Sequence, residues 1–215
     1  MRLVLVRHGD AHAGLHGVIG GERGCTGLTD LGRRQAEALR DRLADTGRLR
    51  PDVLVASVLP RAIETARIIA PALGLEIGGH DRDLCEMHPG DADGLTWAEY
   101  DVRHGSFDME AEPDRVFAPA GESWNGFHER VGRTLERLAR DHADETVVAV
   151  CHAGVVMASM RILLGIPHPG TGAQMRPVNT GVTEWAYDPV RGRWTLHTFN
   201  DASHLVGWEQ PPSSW

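Results

Sequence analysis

The chain has 215 residues, 41% of them hydrophobic, and a formal net charge of −8 at pH 7. This length and composition fit one domain with a substantial core. The acidic balance argues against nucleic acid and anionic membranes as the main partners.

Cysteine usage and the amino terminus bear on where the protein works. Cys25, Cys85 and Cys151 form no CxxC pair, which argues against a disulfide framework or a zinc knuckle. The apolar run at 3–6 is far too short for a signal peptide or a membrane span. We therefore expect a cytoplasmic protein.

The first part of the chain alternates between strand and helix patterns. The predicted elements are a strand at 3–6, an irregular Gly- and His-rich loop at 10–27, a helix at 29–47, a strand at 53–57 and a helix at 60–74. Thr29 suits the N-cap of the first helix, and Pro60 suits the first turn of the second.

The second part begins with an irregular insertion at 76–120, which contains one short predicted helix near 96–103. An insertion this long is more often a lid or substrate wall than a linker. After the entry motif Gly121-Glu122-Ser123, the predicted elements are a long amphipathic helix, a strand at 147–150, a helix at 155–164 and a strand pair at 182–187 and 193–199. We expect one domain over 1–205 and a loosely held tail at 206–215.

These patterns predict the buried strands of a parallel α/β sheet. His8 and His152 each follow a buried β-branched run closely. Ligands bind such sheets at the carboxyl ends of the strands. If the two runs are parallel neighbours, both imidazoles lie at the same edge of the sheet.

Arginines follow the strands at the same edge. Arg7 precedes His8, and Arg61 lies in the first turn of a helix, where unpaired N–H groups and the helix dipole already favour an anion. A positive pocket in an acidic protein is what phosphate recognition requires.

This set of residues indicates phosphoryl transfer. A neutral imidazole that attacks phosphorus gives a phosphohistidine and divides one difficult displacement into two easier ones. Arginines and a second, protonated histidine supply the charge neutralisation that the transition state needs. Glu86, in the insertion, offers the proton for the leaving alkoxide.

The same residues resemble the histidine phosphatase (phosphoglycerate mutase-like) superfamily. The matching motifs are Arg7-His8-Gly9, Ser57-x3-Arg61-Ala62, Leu84-x-Glu86, Gly121-Glu122-Ser123 and His152-Ala153-Gly154, in the family's order and rough spacing. The resemblance implies an α/β three-layer sandwich, with a mainly parallel central sheet flanked by helices. It also implies that His8 is the phosphorylated nucleophile and Glu86 the proton donor. It implies a phosphate pocket of Arg7, Arg61 and His152, to which we add Ala153, and it implies no metal and no cofactor.

Two departures from the family pattern affect the functional prediction. Asp10 and Gly14 stand where many relatives carry Glu or Gln and an Asn that contacts the phosphate; a backbone amide, His12 or a residue near Arg23 could replace that contact. The segment from Glu86 to His152 is also shorter than in the cofactor-dependent mutases, which favours a phosphatase.

The residues around the pocket leave alternatives open. His12, Arg23 and Trp97 are candidate substrate contacts. Asp10, His12 and His16 could instead form a metal site, although solvated loop histidines are the favoured interpretation.

We predict a metal-independent phosphomonoesterase that acts on a small phosphorylated metabolite. The alternatives are a phosphoglycerate mutase-type isomerase and a degenerate module that binds a phosphorylated ligand without turnover. An exposed edge strand or apolar patch would also allow a homodimer.

Overall fold

A computed structural model of the chain describes residues 1–167 and 174–208. The strands are β1 (Arg2–Arg7), β2 (Val53–Ser57), β3 (Gly79–Asp81), β4 (Thr146–Cys151), β5 (Val182–Asp188) and β6 (Arg193–Asp201). The α-helices are α1 (His12–Leu15), α2 (Asp30–Thr46), α3 (Pro60–Leu73), α4 (Trp97–His104), α5 (Trp124–Asp141) and α6 (Ala153–Leu164). Short 3₁₀ turns lie at Arg82–Leu84, Gly90–Ala92 and Ser203–Leu205. Most of the predicted tail, residues 209–215, lies outside the described residues.

The six strands form one sheet in the order β3-β2-β4-β1-β5-β6. The pairs β2–β3, β2–β4 and β1–β4 are parallel, whereas β5 runs antiparallel to both β1 and β6. The predicted α/β fold with a mainly parallel sheet is thus confirmed. In the register of β1 and β4, Arg7 pairs with Cys151, so His8 and His152 leave neighbouring strands at the same level.

Alternating residues of the central strands pack into cores on opposite faces of the sheet. Leu3 and Leu5 join a cluster with apolar side chains of α5 and α6, and Val4 and Val6 join a second cluster with α2 and α3. A strand buried on both faces carries apolar side chains at every position. This packing produces the three layers.

Local signals set the helix ends as predicted. The hydroxyl of Thr29 accepts a hydrogen bond from the N–H of Gly32 at the start of α2, and Pro60 is the first residue of α3. Gly47 and Gly74 end these helices in the left-handed conformation that glycine adopts without steric cost. These helices lie against the sheet and bring Arg61 to its edge.

Two regions are more regular than the sequence indicates. The loop at 10–27 contains the short helix α1, so the prediction of no regular structure there is wrong. The insertion contains β3 and two 3₁₀ turns besides the predicted helix. The Gly-His-Asp sequence of β3 carries no apolar signal, and the strand forms through its parallel pairing with β2.

The insertion and the loop at 10–27 pack together over the carboxyl edge of the sheet. The N–H of Ile19 donates to the carbonyl of Leu95 at 2.8 Å, and the N–H of Trp97 donates to the carbonyl of Gly17 at 3.1 Å. Ile19 also joins a small buried cluster with Tyr100 and Phe117. In the described residues, no helix combines the length and the apolar composition needed to span a membrane.

Candidate active site

The structure brings His8 and His152 together at the carboxyl edge of the sheet. Their ring centroids lie 5.0 Å apart with the planes tilted by 59°. Both side chains are buried, at 8% and 0% exposure respectively. The proximity follows from the parallel pairing of β1 and β4, because each histidine is the first residue after its strand.

The hydrogen bonds of His8 define its tautomer. A carbonyl oxygen can only accept, so the contact of 2.6 Å between Nδ1 and the carbonyl of Gly9 places the proton on Nδ1. Nε2 then accepts from the Nε–H of Arg61 at 3.0 Å. Burial, followed by the charges of Arg61 and Arg7, holds the pKa of His8 well below its ordinary value of 6.5. His8 is therefore neutral at pH 7, with its lone pair on Nε2.

Arg61 and Arg7 place two buried positive charges beside this lone pair. Arg61 is anchored at Nη1 by the carbonyl of Gly20 (2.7 Å) and Arg7 by the carbonyl of Pro177 (2.5 Å). Burial, together with the charge of Arg61, lowers the pKa of Arg7 to about 10, which leaves it charged at neutral pH. The Nε of Arg7 has no hydrogen-bond partner within the described part of the chain, so it can donate to an anion.

His152 is held by Ser57, whose hydroxyl lies 2.7 Å from Nε2. Burial, then the nearby Arg61, holds the pKa of His152 well below 6.5. His152 is therefore neutral in the phosphate-free site, mainly because it is buried, and its protonation when phosphate is bound stays a prediction. The Nδ1 of His152 lacks a partner among the described residues.

Glu86 reaches the site from the insertion and contacts the start of α6. The N–H of Gly154 donates to Oε2 of Glu86 at 3.0 Å, and the N–H of Met87 donates to Oε1 at 3.2 Å. A Cβ at position 154 would stand 2.0 Å from Oε1. Only glycine therefore permits this approach of the carboxylate to the helix.

A cavity of about 440 Å³ opens at this edge, between the sheet, the loop at 10–27 and the insertion. The predicted site residues that line it are Arg7, His8, Arg61, Glu86, Ala153, Arg23 and Trp97. His152 is fully buried next to His8 and is not itself among the residues that line the cavity. His12 is also not among the residues that line the cavity, and its ring stacks on His16 at 5.8 Å. The suggestion that His12 contacts substrate is thus not supported by its position.

Sequence reasoning missed Asn179 as a site residue. Its buried side chain lines the cavity and its Nδ2 donates to the carbonyl of His8 at 3.0 Å. Nothing in the local sequence around Asn179 shows that its side chain contacts His8. Gly14, at the position of the family asparagine, also lines the cavity.

The proposed metal alternative at Asp10, His12 and His16 gains no support from the contacts. Asp10 accepts a hydrogen bond of 2.6 Å from the hydroxyl of Thr29, and the two histidine rings stack on one another. Over residues 1–167 and 174–208, no group of three or more histidine, cysteine or acidic side chains is arranged to hold a metal ion.

The chain is similar in sequence and in fold to known phosphatases and their relatives. A family model described as histidine phosphatase superfamily (branch 1) matches residues 3–202. The chain is 30% identical to a metal-independent phosphoserine phosphatase of Arabidopsis thaliana (94% of this chain, 82% of the relative). It is 33% identical to a glucosyl-3-phosphoglycerate phosphatase of Mycobacterium tuberculosis (95% and 96%). Among solved structures, Bacillus stearothermophilus YhfR superposes with a TM-score of 0.81 at 27% identity, covering 94% of this chain and 98% of that one.

Proposed function

Because this chain belongs to branch 1 of the histidine phosphatase superfamily, we propose that it hydrolyses a small phosphorylated metabolite through a phosphohistidine formed on His8, without a metal ion. The chain is a phosphatase of this family. The proposed mechanism rests above all on one observation: His8 is neutral, and its Nε2 lone pair lies against the guanidinium of Arg61.

In the first step, Nε2 of His8 attacks phosphorus, a P–N bond forms and the ester P–O bond breaks. The Nδ1–H bond to Gly9 supports the imidazolium-like charge that develops on the ring. Glu86, in its protonated form, gives a proton to the departing oxygen, so that the alcohol leaves uncharged. Its place on the cavity wall next to the start of α6 supports this role.

The charge on the phosphoryl group is met by the buried cations. Arg7 and Arg61 line the cavity, and a guanidinium can bind two phosphoryl oxygens at once. We assign Ala153, the first residue of α6, to phosphate binding. Its backbone N–H has no partner inside the helix and can donate to an anion. A bound dianion raises the pKa of the nearby His152, whose Nδ1 then donates to an oxygen.

In the second step, water attacks the phosphohistidine. Glu86, now a carboxylate, takes a proton from the water, the P–N bond breaks, and inorganic phosphate leaves with His8 restored. Residues 1–205 are proposed to act as a single domain in this cycle, and the insertion at 76–120 to act as the substrate wall.

A direct test incubates the full chain with p-nitrophenyl phosphate at mildly acidic pH in the presence of a chelator. Release of phosphate at an unchanged rate with chelator is the expected result, and loss of turnover with chelator would contradict metal independence. With 3-phosphoglycerate, transfer of phosphate to the 2-position would indicate an isomerase. Binding of phosphate esters without any turnover would indicate a ligand-binding module.

A further inference from the structure

The cavity also carries information about the alcohol part of the substrate. We propose that this site selects phosphate esters whose alcohol is an uncharged, flat, apolar group held against an aromatic wall. The inference rests on the phosphatase function proposed above and extends it to the class of substrate.

Six aromatic and thioether side chains line the cavity. They come from the insertion and from α5, and they are Met87, Trp97, Met109, Phe117, Trp124 and Phe127. Such side chains bind flat apolar groups through stacking and sulfur–aromatic contacts. A volume of about 440 Å³ lies in the range of pockets that enclose a small organic ligand.

The aromatic wall is fixed before any substrate arrives. Tyr100 stacks on Phe117 with centroids 4.3 Å apart, and its hydroxyl donates to the carbonyl of Phe117 at 2.7 Å. Trp97 packs edge-on against both rings at 6.0 Å and keeps 38% of its surface exposed. A preformed wall loses little conformational entropy on binding, so its apolar surface contributes more fully to affinity.

The charged residues of the cavity argue against a second anionic group on the substrate. Four arginines and four carboxylates line it. At the mouth, Arg82 pairs with Glu22 at 2.7 Å, and Arg23 lies 3.8 Å from Asp93. These pairings leave Arg7 and Arg61, among the lining cations of the described chain, to meet the phosphate.

Asp93 is fixed in place by the backbone. Its carboxylate accepts N–H groups from Gly21, Arg23 and Gly24 at 2.8 to 2.9 Å. The negative charge of Asp93 is therefore held in place beside Arg23. A carboxylate or second phosphate on the substrate would meet acids as well as cations at the mouth, whereas an uncharged ring would not.

The test compares esters of primary alcohols, so that the basicity of the leaving group is nearly constant. We expect 2-(2-naphthyl)ethyl phosphate to exceed ethyl phosphate in kcat/KM by roughly 30- to 100-fold, the effect of moving one aromatic group out of water. We expect 3-phosphoglycerate to fall below the naphthylethyl ester by at least as much. Equal values for the naphthylethyl and ethyl esters, or a preference for 3-phosphoglycerate, would overturn the proposal.

Variants separate the wall from general effects on the fold. Trp97→Ala should lower kcat/KM for the naphthylethyl ester about tenfold more than for ethyl phosphate. Val102→Ala, on the same helix but 87% exposed, is the matched control and should leave the ratio of the two esters unchanged. An unchanged ratio in Trp97→Ala would contradict the role of the wall.

A second variant tests the charged pairs at the mouth. Glu22→Gln frees Arg82 and should raise kcat/KM for 3-phosphoglycerate relative to the naphthylethyl ester. An unchanged ratio of these two values would contradict the charge argument.

Failure of the inference and failure of the proposed function give different results. If both esters are hydrolysed equally well, the phosphatase function stands and the inference fails. If no ester is hydrolysed, the proposed function fails. In that case calorimetric binding of the naphthylethyl and ethyl esters decides the inference alone: tighter binding of the naphthylethyl ester supports it, and equal binding overturns it.

Discussion

The Nε–H of Arg61 donates to Nε2 of His8 at 3.0 Å, so the guanidinium covers the lone pair that we assign as the nucleophile. In the proposed mechanism, phosphate draws Arg61 onto its oxygens before the imidazole attacks. We therefore expect binding of the anion and exposure of the nucleophile to be coupled through one side chain.

Replacing Arg61 tests this coupling. Arg61→Ala should raise KM and lower kcat by about 10²- to 10³-fold, because it removes a donor that stabilises the transition state. Steady-state kinetics with p-nitrophenyl phosphate measures both constants. Arg67→Ala, at an exposed position of the same helix, is the control and should stay close to the unmodified protein. A normal kcat in Arg61→Ala would contradict the assignment.

Glu86→Gln tests the proton donor. Esters of alkyl alcohols should lose about 10²- to 10⁴-fold in rate, because their leaving oxygen requires a proton, while p-nitrophenyl phosphate should lose far less. The measurement is kcat/KM across esters of graded leaving-group pKa. The exposed Glu76→Gln is a suitable control. Equal slowing of all esters would argue that Glu86 is not the acid.

Gly154→Ala tests the position of that carboxylate. The new Cβ would meet Oε1 of Glu86 at 2.0 Å and displace it. We expect the same selective loss on alkyl esters as in Glu86→Gln, although smaller. Gly132→Ala on α5, where the nearest atom to a Cβ is 3.8 Å away, is the control. Full activity of Gly154→Ala on alkyl esters would show that this contact has no role.

The buried neutral histidines predict how stability depends on pH. The pKa of His8 is lowered in the folded state. Below about pH 6.5, His8 therefore binds a proton in the unfolded chain but stays neutral in the folded one. The free energy of unfolding should therefore fall as pH falls below 6.5, by about 1.4 kcal/mol per pH unit for each such group.

His8→Asn should reduce the slope of the free energy of unfolding against pH between pH 6.5 and 5. Urea unfolding at fixed ionic strength measures this slope. The carboxylates with lowered pKa values, such as Glu122, titrate below this window. His80→Asn, at an exposed position on β3, should keep the slope of the unmodified protein. The same slope in His8→Asn would contradict a neutral His8.

The parts of the fold predicted from the sequence are those with local signals. The apolar run of β1, the N-cap Thr29 and the left-handed Gly47 each act within a few residues, and the structure has them as expected. The convergence of His8 and His152 was also predictable, because parallel neighbouring strands end at one edge.

The features that the sequence did not reveal depend on distant partners. The strand β3 exists through its pairing with β2, and Asn179 joins the site by bonding to a carbonyl 171 positions earlier. The neutral state of His152 likewise follows from burial beside Arg61, which spacing in the sequence cannot show.

The covalent step on His8 is tested most directly by trapping the phosphorylated protein. Rapid alkaline quenching during turnover of a ³²P-labelled ester should leave label that acid removes and that peptide mapping places on His8, whereas His8→Ala should carry no label and show no turnover. Turnover at a normal rate by His8→Ala would contradict the mechanism.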